Sequence, residues 1–312
     1  MSAPDYRTLI DADMWAFIDK VNALYPPGAV DFSIEEQRAL YNDVCRVFYQ
    51  GRPAGVSSWD EDHGGVPCRR YELCESDVTL IYLHGGGNVV GDLDSHDDVC
   101  AEICDRTGYR VIAVDYGLAP EVVYPGCFND GWSAFTAVAE AFDGHLMLAG
   151  DSAGGTLAAA IVHHARRRVA GRIIGQILIY PSLGGDMTRG SFVRYANAPH
   201  LTTQDVIYFI DQRLGGAEPP KGDGCFAPLQ DAEFSGLPPT VCISAQCDPL
   251  AGEGETYCDK LRAAGGRAEW INVPGMVHGC LRARGISPAA AGFFDTVVEA
   301  IDALGQGRWP YQ

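Results

Sequence analysis

Apolar runs of five to eight residues, bounded by turn residues and separated by helix-length segments, recur through the middle of the chain: Val78–Leu83, Arg110–Asp115, His145–Ala149, Ile173–Tyr180, Thr240–Ala245 and Ala268–Val273. Runs that are apolar at nearly every position belong to strands covered on both faces, as in a parallel sheet. The intervening segments Ser95–Thr107, Phe128–Phe142, Ala153–Arg168, Glu253–Ala264 and Pro288–Leu304 have the length and spacing of helices. Two shorter strands, near Val56–Glu61 and Cys68–Cys74, flank Asp62-His63-Gly64-Gly65, which reads as a hairpin at the sheet edge. The pattern predicts an α/β fold with an eight-stranded, mostly parallel sheet flanked by helices.

Two segments interrupt the alternation. Residues 1–45 carry helical spacing in Tyr6, Leu9, Ile10, Met14 and Phe17 before any strand. Residues 183–228 hold a capped helix, in which Thr202 or Thr203 precedes Gln204-Asp205 and an apolar stretch from Val206 to Leu214. Insertions of this length are usually lids or binding loops, so the two are read together as a helical cap. The catalytic core is then 46–182 and 229–312.

Within that frame, Gly150-Asp151-Ser152-Ala153-Gly154 follows an apolar strand and opens an alanine-rich helix. This is the context of a nucleophile elbow, where glycines remove Cβ atoms so that strand and helix approach and the hydroxyl stands above the sheet. His84-Gly85-Gly86-Gly87 ends an earlier strand, and by chance the tetrapeptide would arise about 0.01 times in such a chain. Consecutive glycines let unhindered amides face a developing oxyanion, which assigns the oxyanion hole to Gly85, Gly86 and Ala153. His84 sits in the turn and is read as pinning it.

A serine hydroxyl needs a base, and the base a carboxylate to fix its tautomer. His163 and His164 lie on the helix after the serine, cannot fold back onto it, and are expected to face solvent. His200 falls in the cap. His278 and Asp248 each follow a strand, at the carboxyl edge where α/β sites are assembled. The order Ser152, Asp248, His278 is that of an α/β-hydrolase triad. Asp151, beside the serine, is a candidate substrate contact.

The segments HGGG, GDSAGG, DPL and HG in this order, with Asp115-Tyr-Gly-Leu-Ala-Pro-Glu121 and Leu237-Pro-Pro-Thr240, resemble the bacterial hormone-sensitive lipase family of carboxylesterases from about residue 78 onward. The resemblance implies an α/β-hydrolase fold, hydrolysis of short- to medium-chain acyl esters, no cofactor, and a homodimer through the edge strand of the sheet. Asn88 stands where that family usually carries an aromatic residue, so the resemblance implies that it borders the pocket and offers a polar substrate contact in place of a ring. A non-catalytic small-ligand receptor on the same fold and an amidase or thioesterase using the same triad are the alternatives.

Composition narrows the partners. With 47% hydrophobic and 21% charged residues over 312 positions, the chain can bury a core without disulfides or metal. The net charge of −18 disfavours nucleic acid, which requires a basic footprint. No run of 18 apolar residues predicts a membrane span. Eleven cysteines, an odd number without C-x-x-C pairs, and no apolar leader point to reduced thiols in a cytoplasm. No metal site is expected.

Overall fold

The computed structural model describes residues 4–26, 32–169 and 171–311. Eight strands form one sheet: β1 (Ser57–His63), β2 (Val66–Glu72), β3 (Val78–Leu83), β4 (Arg110–Val114), β5 (His145–Asp151), β6 (Ile173–Ile179), β7 (Thr240–Cys247) and β8 (Ala268–Val277). Their order is β1-β2-β4-β3-β5-β6-β7-β8, with β2 antiparallel to β1 and β4 and every other pair parallel. The hairpin turn is narrower than the four residues expected. His63 pairs with Val66, leaving Gly64 and Gly65 at φ of 66° and 83°, the left-handed pair that a two-residue turn between twisted strands demands.

The central strands are buried at every position of β3 and β4, which explains why they read as unbroken apolar runs. Helices α1 (Tyr6–Leu9), α2 (Ala12–Leu24), α3 (Ile34–Phe48), α4 (Asp97–Thr107), α5 (Gly126–Ala141), α6 (Ala153–Ala165), α7 (Ser191–Arg194), α8 (Thr203–Leu214), α9 (Ala251–Ala263) and α10 (Pro288–Gly305) complete the described chain. One core, with α2, α4 and α10, lies on one face of the sheet, and a second, with α5, α6 and α9, lies on the other.

The N-terminal helices form for local reasons and then bury one stripe. Asp11 accepts the Met14 N–H at 2.8 Å, and α2 buries Met14, Phe17, Ile18 and Val21, the 3.6-residue period. In α3, Ser33 and Glu36 close a capping box. Thr202 and Asp205 do the same for α8, whose last turn ends on Gly215 in the left-handed conformation. A Gln37–Tyr208 hydrogen bond of 3.1 Å ties α3 to α8, and Arg38 of α3 donates to the carbonyls of Val89 and Ala119. The two interrupting segments therefore meet each other and the loops above β3 and β4. No helix among the described residues is long and apolar enough to cross a membrane.

Candidate active site

Ser152 occupies the corner between β5 and α6 with φ 54° and ψ −121°, a conformation costly for a side-chain-bearing residue. It persists because strand and helix press together. A Cβ on Gly150 would lie 2.5 Å from the Gly154 carbonyl carbon, and one on Gly154 would enter the Leu83 carbonyl oxygen. The hydroxyl thus stands at the amino end of α6, where first-turn amides lack helical acceptors.

Two loops at the carboxyl edge meet it. Asp248 follows β7, is fully buried, and accepts the Leu250 N–H on Oδ1 at 2.8 Å. Its Oδ2 lies 2.7 Å from Nδ1 of His278, just beyond β8, and the opposite Nε2 lies 2.8 Å from Ser152 Oγ. The carboxylate can only accept, so Nδ1 carries the proton and Nε2 presents its lone pair to the hydroxyl. The Tyr180 ring packs against the imidazole with centroids 4.7 Å apart.

The glycine loop corrects one expectation. The Gly85 N–H donates to Asp151 Oδ1 at 2.9 Å, so it is occupied and does not face the serine. Gly86 and Gly87, at φ of 123° and 64°, line the cavity beside Ser152 instead. Ala153 lies at the first position of α6, as expected. Asp151 is likewise tied within the protein, and it also lines the larger cavity beside Ser152. Its Oδ1 also accepts the Tyr82 hydroxyl at 2.9 Å, and His96 Nε2 lies 3.2 Å away. Burial pushes its pKa up, but His96 and these donors outweigh burial and hold it below the usual carboxylate range.

His84 pins the loop: Nδ1 donates to the Gly85 carbonyl at 2.8 Å and the ring stacks on Tyr116 at 4.5 Å. Burial, then neighbouring His96, lowers its pKa to about 4. His163 does not face solvent. It is buried between Asp231 Oδ2 at 2.8 Å and the Tyr257 hydroxyl at 2.9 Å, since α6 is covered by the segment before β7. His164 is half-buried against the Trp132 ring at 4.6 Å.

Two spaces open from Ser152. The larger, about 430 Å³, runs between α2, α3 and α8 and has Phe17, Tyr208, His200 and His278 in its walls. The smaller, about 50 Å³, is lined by Gly87, Asn88, Ala153, Leu250 and Arg213 but not by His278. Asn88 thus borders the pocket as expected, whereas Gly87, Tyr180, His200 and Arg213 were not singled out from sequence. Gly87 lay within the glycine run; Arg213 reads there as an ordinary cation in a helix's last turn. The described cysteines are all free thiols, and Cys242, Cys247, Cys258 and Cys280 near the site are buried. Among the described residues no group of three or more His, Cys, Asp or Glu is placed to hold a metal ion.

Comparison with known proteins identifies the family. A family model described as the alpha/beta hydrolase fold matches residues 80–282. The chain is 38% identical over 276 residues to an esterase, LipI, of Mycobacterium tuberculosis, covering 84% of this chain and 86% of that protein. It is 33% identical over 259 residues to an ethyl acetate hydrolase of Pseudomonas putida, covering 79% and 81%. Among solved structures, a hyperthermophilic esterase from the archaeon Pyrobaculum calidifontis superposes with a TM-score of 0.84 at 27% identity, covering 95% of this chain and 99% of that one. The chain belongs to the α/β-hydrolases, within the bacterial hormone-sensitive lipase family of carboxylic ester hydrolases.

Proposed function

We propose that the protein is a serine carboxylesterase acting through an acyl-enzyme on Ser152. The observation that carries this reading is the relay of 2.8 Å from Ser152 to His278 and 2.7 Å from His278 to Asp248. Ser152 Oγ attacks the ester carbonyl as its proton passes to His278 Nε2, and Asp248 balances the imidazolium. The oxyanion is taken by the amides of Gly86, Gly87 and Ala153. Collapse breaks the ester C–O bond, His278 returns the proton to the leaving alkoxide, and a water activated by the same base releases the acid.

The divided cavity supports short to medium acyl groups, and residues 1–45 with 183–228 act as a cap over it. A cytoplasmic setting and a homodimer through the sheet edge, where β8 pairs on one side only, belong to the same reading. A panel of matched ester, amide and thioester substrates, run with wild type and Ser152→Ala, tests it. Ester turnover that vanishes in Ser152→Ala is expected. Faster amide or thioester turnover would reassign the bond, and tight ligand binding without turnover would make the protein a receptor.

A further inference from the structure

Arg213 is a cation in an unusual place. It belongs to the last turn of α8, is 6% exposed, and lines the small space beside Ser152. Its Nη1 donates to the Phe226 carbonyl at 3.1 Å, and the guanidinium lies over the Phe226 and Tyr124 rings at 4.5 and 5.3 Å. Nε and Nη2 are buried and have no hydrogen-bond partner. Among the described residues no carboxylate forms an ion pair with it. The nearby Asp223 instead accepts the Tyr124 hydroxyl at 2.6 Å. A guanidinium stays charged when buried, and a buried charge without a counter-ion is expensive. Asn88 lines the same space, and its buried Nδ2 also lacks an acceptor. Three unmatched donors therefore belong to two of the polar side chains of one small compartment, whose others are the hydroxyls of Ser152, Thr156 and Ser182, and none of its lining residues is acidic.

The compartment's place relative to His278 says which part of an ester it receives. His278 hands its proton to the leaving alkoxide, so the alcohol departs on the side of the larger space, whose wall includes His278. The smaller space, without His278, is left for the acyl group. Unmatched donors beside a fixed positive charge are complemented by an acceptor-only anion, and a carboxylate matches a guanidinium in two-point geometry.

We propose that Arg213, with Asn88, is a specificity determinant that selects short acyl groups ending in a carboxylate, so that the preferred substrates are monoesters of short dicarboxylic acids. The net charge of −18 offers such an anion no general attraction, and the selectivity is local to this residue. The inference rests on Ser152 as nucleophile.

The test compares monoethyl succinate with ethyl 4-methylpentanoate, which replaces the carboxylate by an isosteric neutral branch, both followed by ethanol release. A charge-assisted hydrogen bond in this setting corresponds to a preference of about 10- to 100-fold in kcat/KM for the monoester. Arg213→Met is expected to bring that ratio to about one or below, and Arg213→Lys to retain part of it. Because each ratio is taken within one preparation, partial loss of folded protein cancels. A wild-type ratio at or below one, or a ratio preserved in Arg213→Met, would overturn the proposal. So would a preference for 4-acetoxybutanoate, which carries its carboxylate on the alcohol. Turnover of these esters that survives in Ser152→Ala, or no turnover of either by wild type, would instead sink the nucleophile assignment and the inference with it.

Discussion

Replacing Asp248 with Asn changes one atom and should disable the base while leaving the fold in place. The side chain is fully buried, with Oδ1 held by the Leu250 N–H at 2.8 Å and Oδ2 facing His278 Nδ1 at 2.7 Å. With the amide oxygen kept on Leu250, the new NH2 group confronts Nδ1 as a donor. The imidazole then carries its proton on Nε2, pointing at Ser152 Oγ, and can no longer accept from it. Loss of the correct tautomer in such a relay lowers kcat by about 10⁴, equivalent to about 5 kcal/mol of transition-state stabilisation. Stability should move far less, by about 1 kcal/mol, since a neutral amide is cheaper to bury than a carboxylate and both hydrogen bonds survive, the one to His278 with its direction reversed. The assay is p-nitrophenyl acetate turnover with urea unfolding in parallel. A loss in kcat of less than about tenfold with unchanged stability would refute the reasoning.

Glu253 is buried and accepts the backbone N–H groups of Leu183 and Gly185, yet burial raises its pKa from 4.5 to about 7. Its folded pKa lies above the unfolded value, so the unfolded state ionises first and stability falls as pH rises from about 4.5 to about 7, by on the order of 3 kcal/mol. Thermal melts of wild type across that window should show the decline, and Glu253→Gln should flatten it; equal slopes would contradict the assignment. His163→Ala removes a buried ring together with its bonds to Asp231 and Tyr257, and should cost about 2–4 kcal/mol in denaturant unfolding. Its kcat/KM per folded molecule should match wild type, and a selective loss of kcat would show that the histidine acts on the reaction.

What was legible in the chain was local or lay at strand ends. The GDSAGG segment encodes its own turn, because Gly150 and Gly154 are the positions where a Cβ would strike backbone. Asp248 and His278 were identifiable because each follows an apolar strand at the edge where the serine also stands. Apart from the hairpin turn, which is shorter than read, the misreadings concern contacts made across the fold. Gly85 sits in a recognisable glycine run, but the acceptor that occupies its amide comes from Asp151, 66 positions away. His163 was expected in solvent because its cover, Asp231 and Tyr257, arrives 68 and 94 positions later. Arg213 carries no sequence signal beyond a basic residue at a helix end, and its meaning lies in the partners it lacks once buried.

The triad is tested most directly by a fluorophosphonate, which forms a covalent bond with an activated serine, followed by intact mass and peptide mapping. The account predicts one adduct per chain, on the peptide containing Ser152, forming rapidly in wild type and not on the same timescale in His278→Ala. An adduct on a different residue, or equal labelling rates in wild type and His278→Ala, would contradict it.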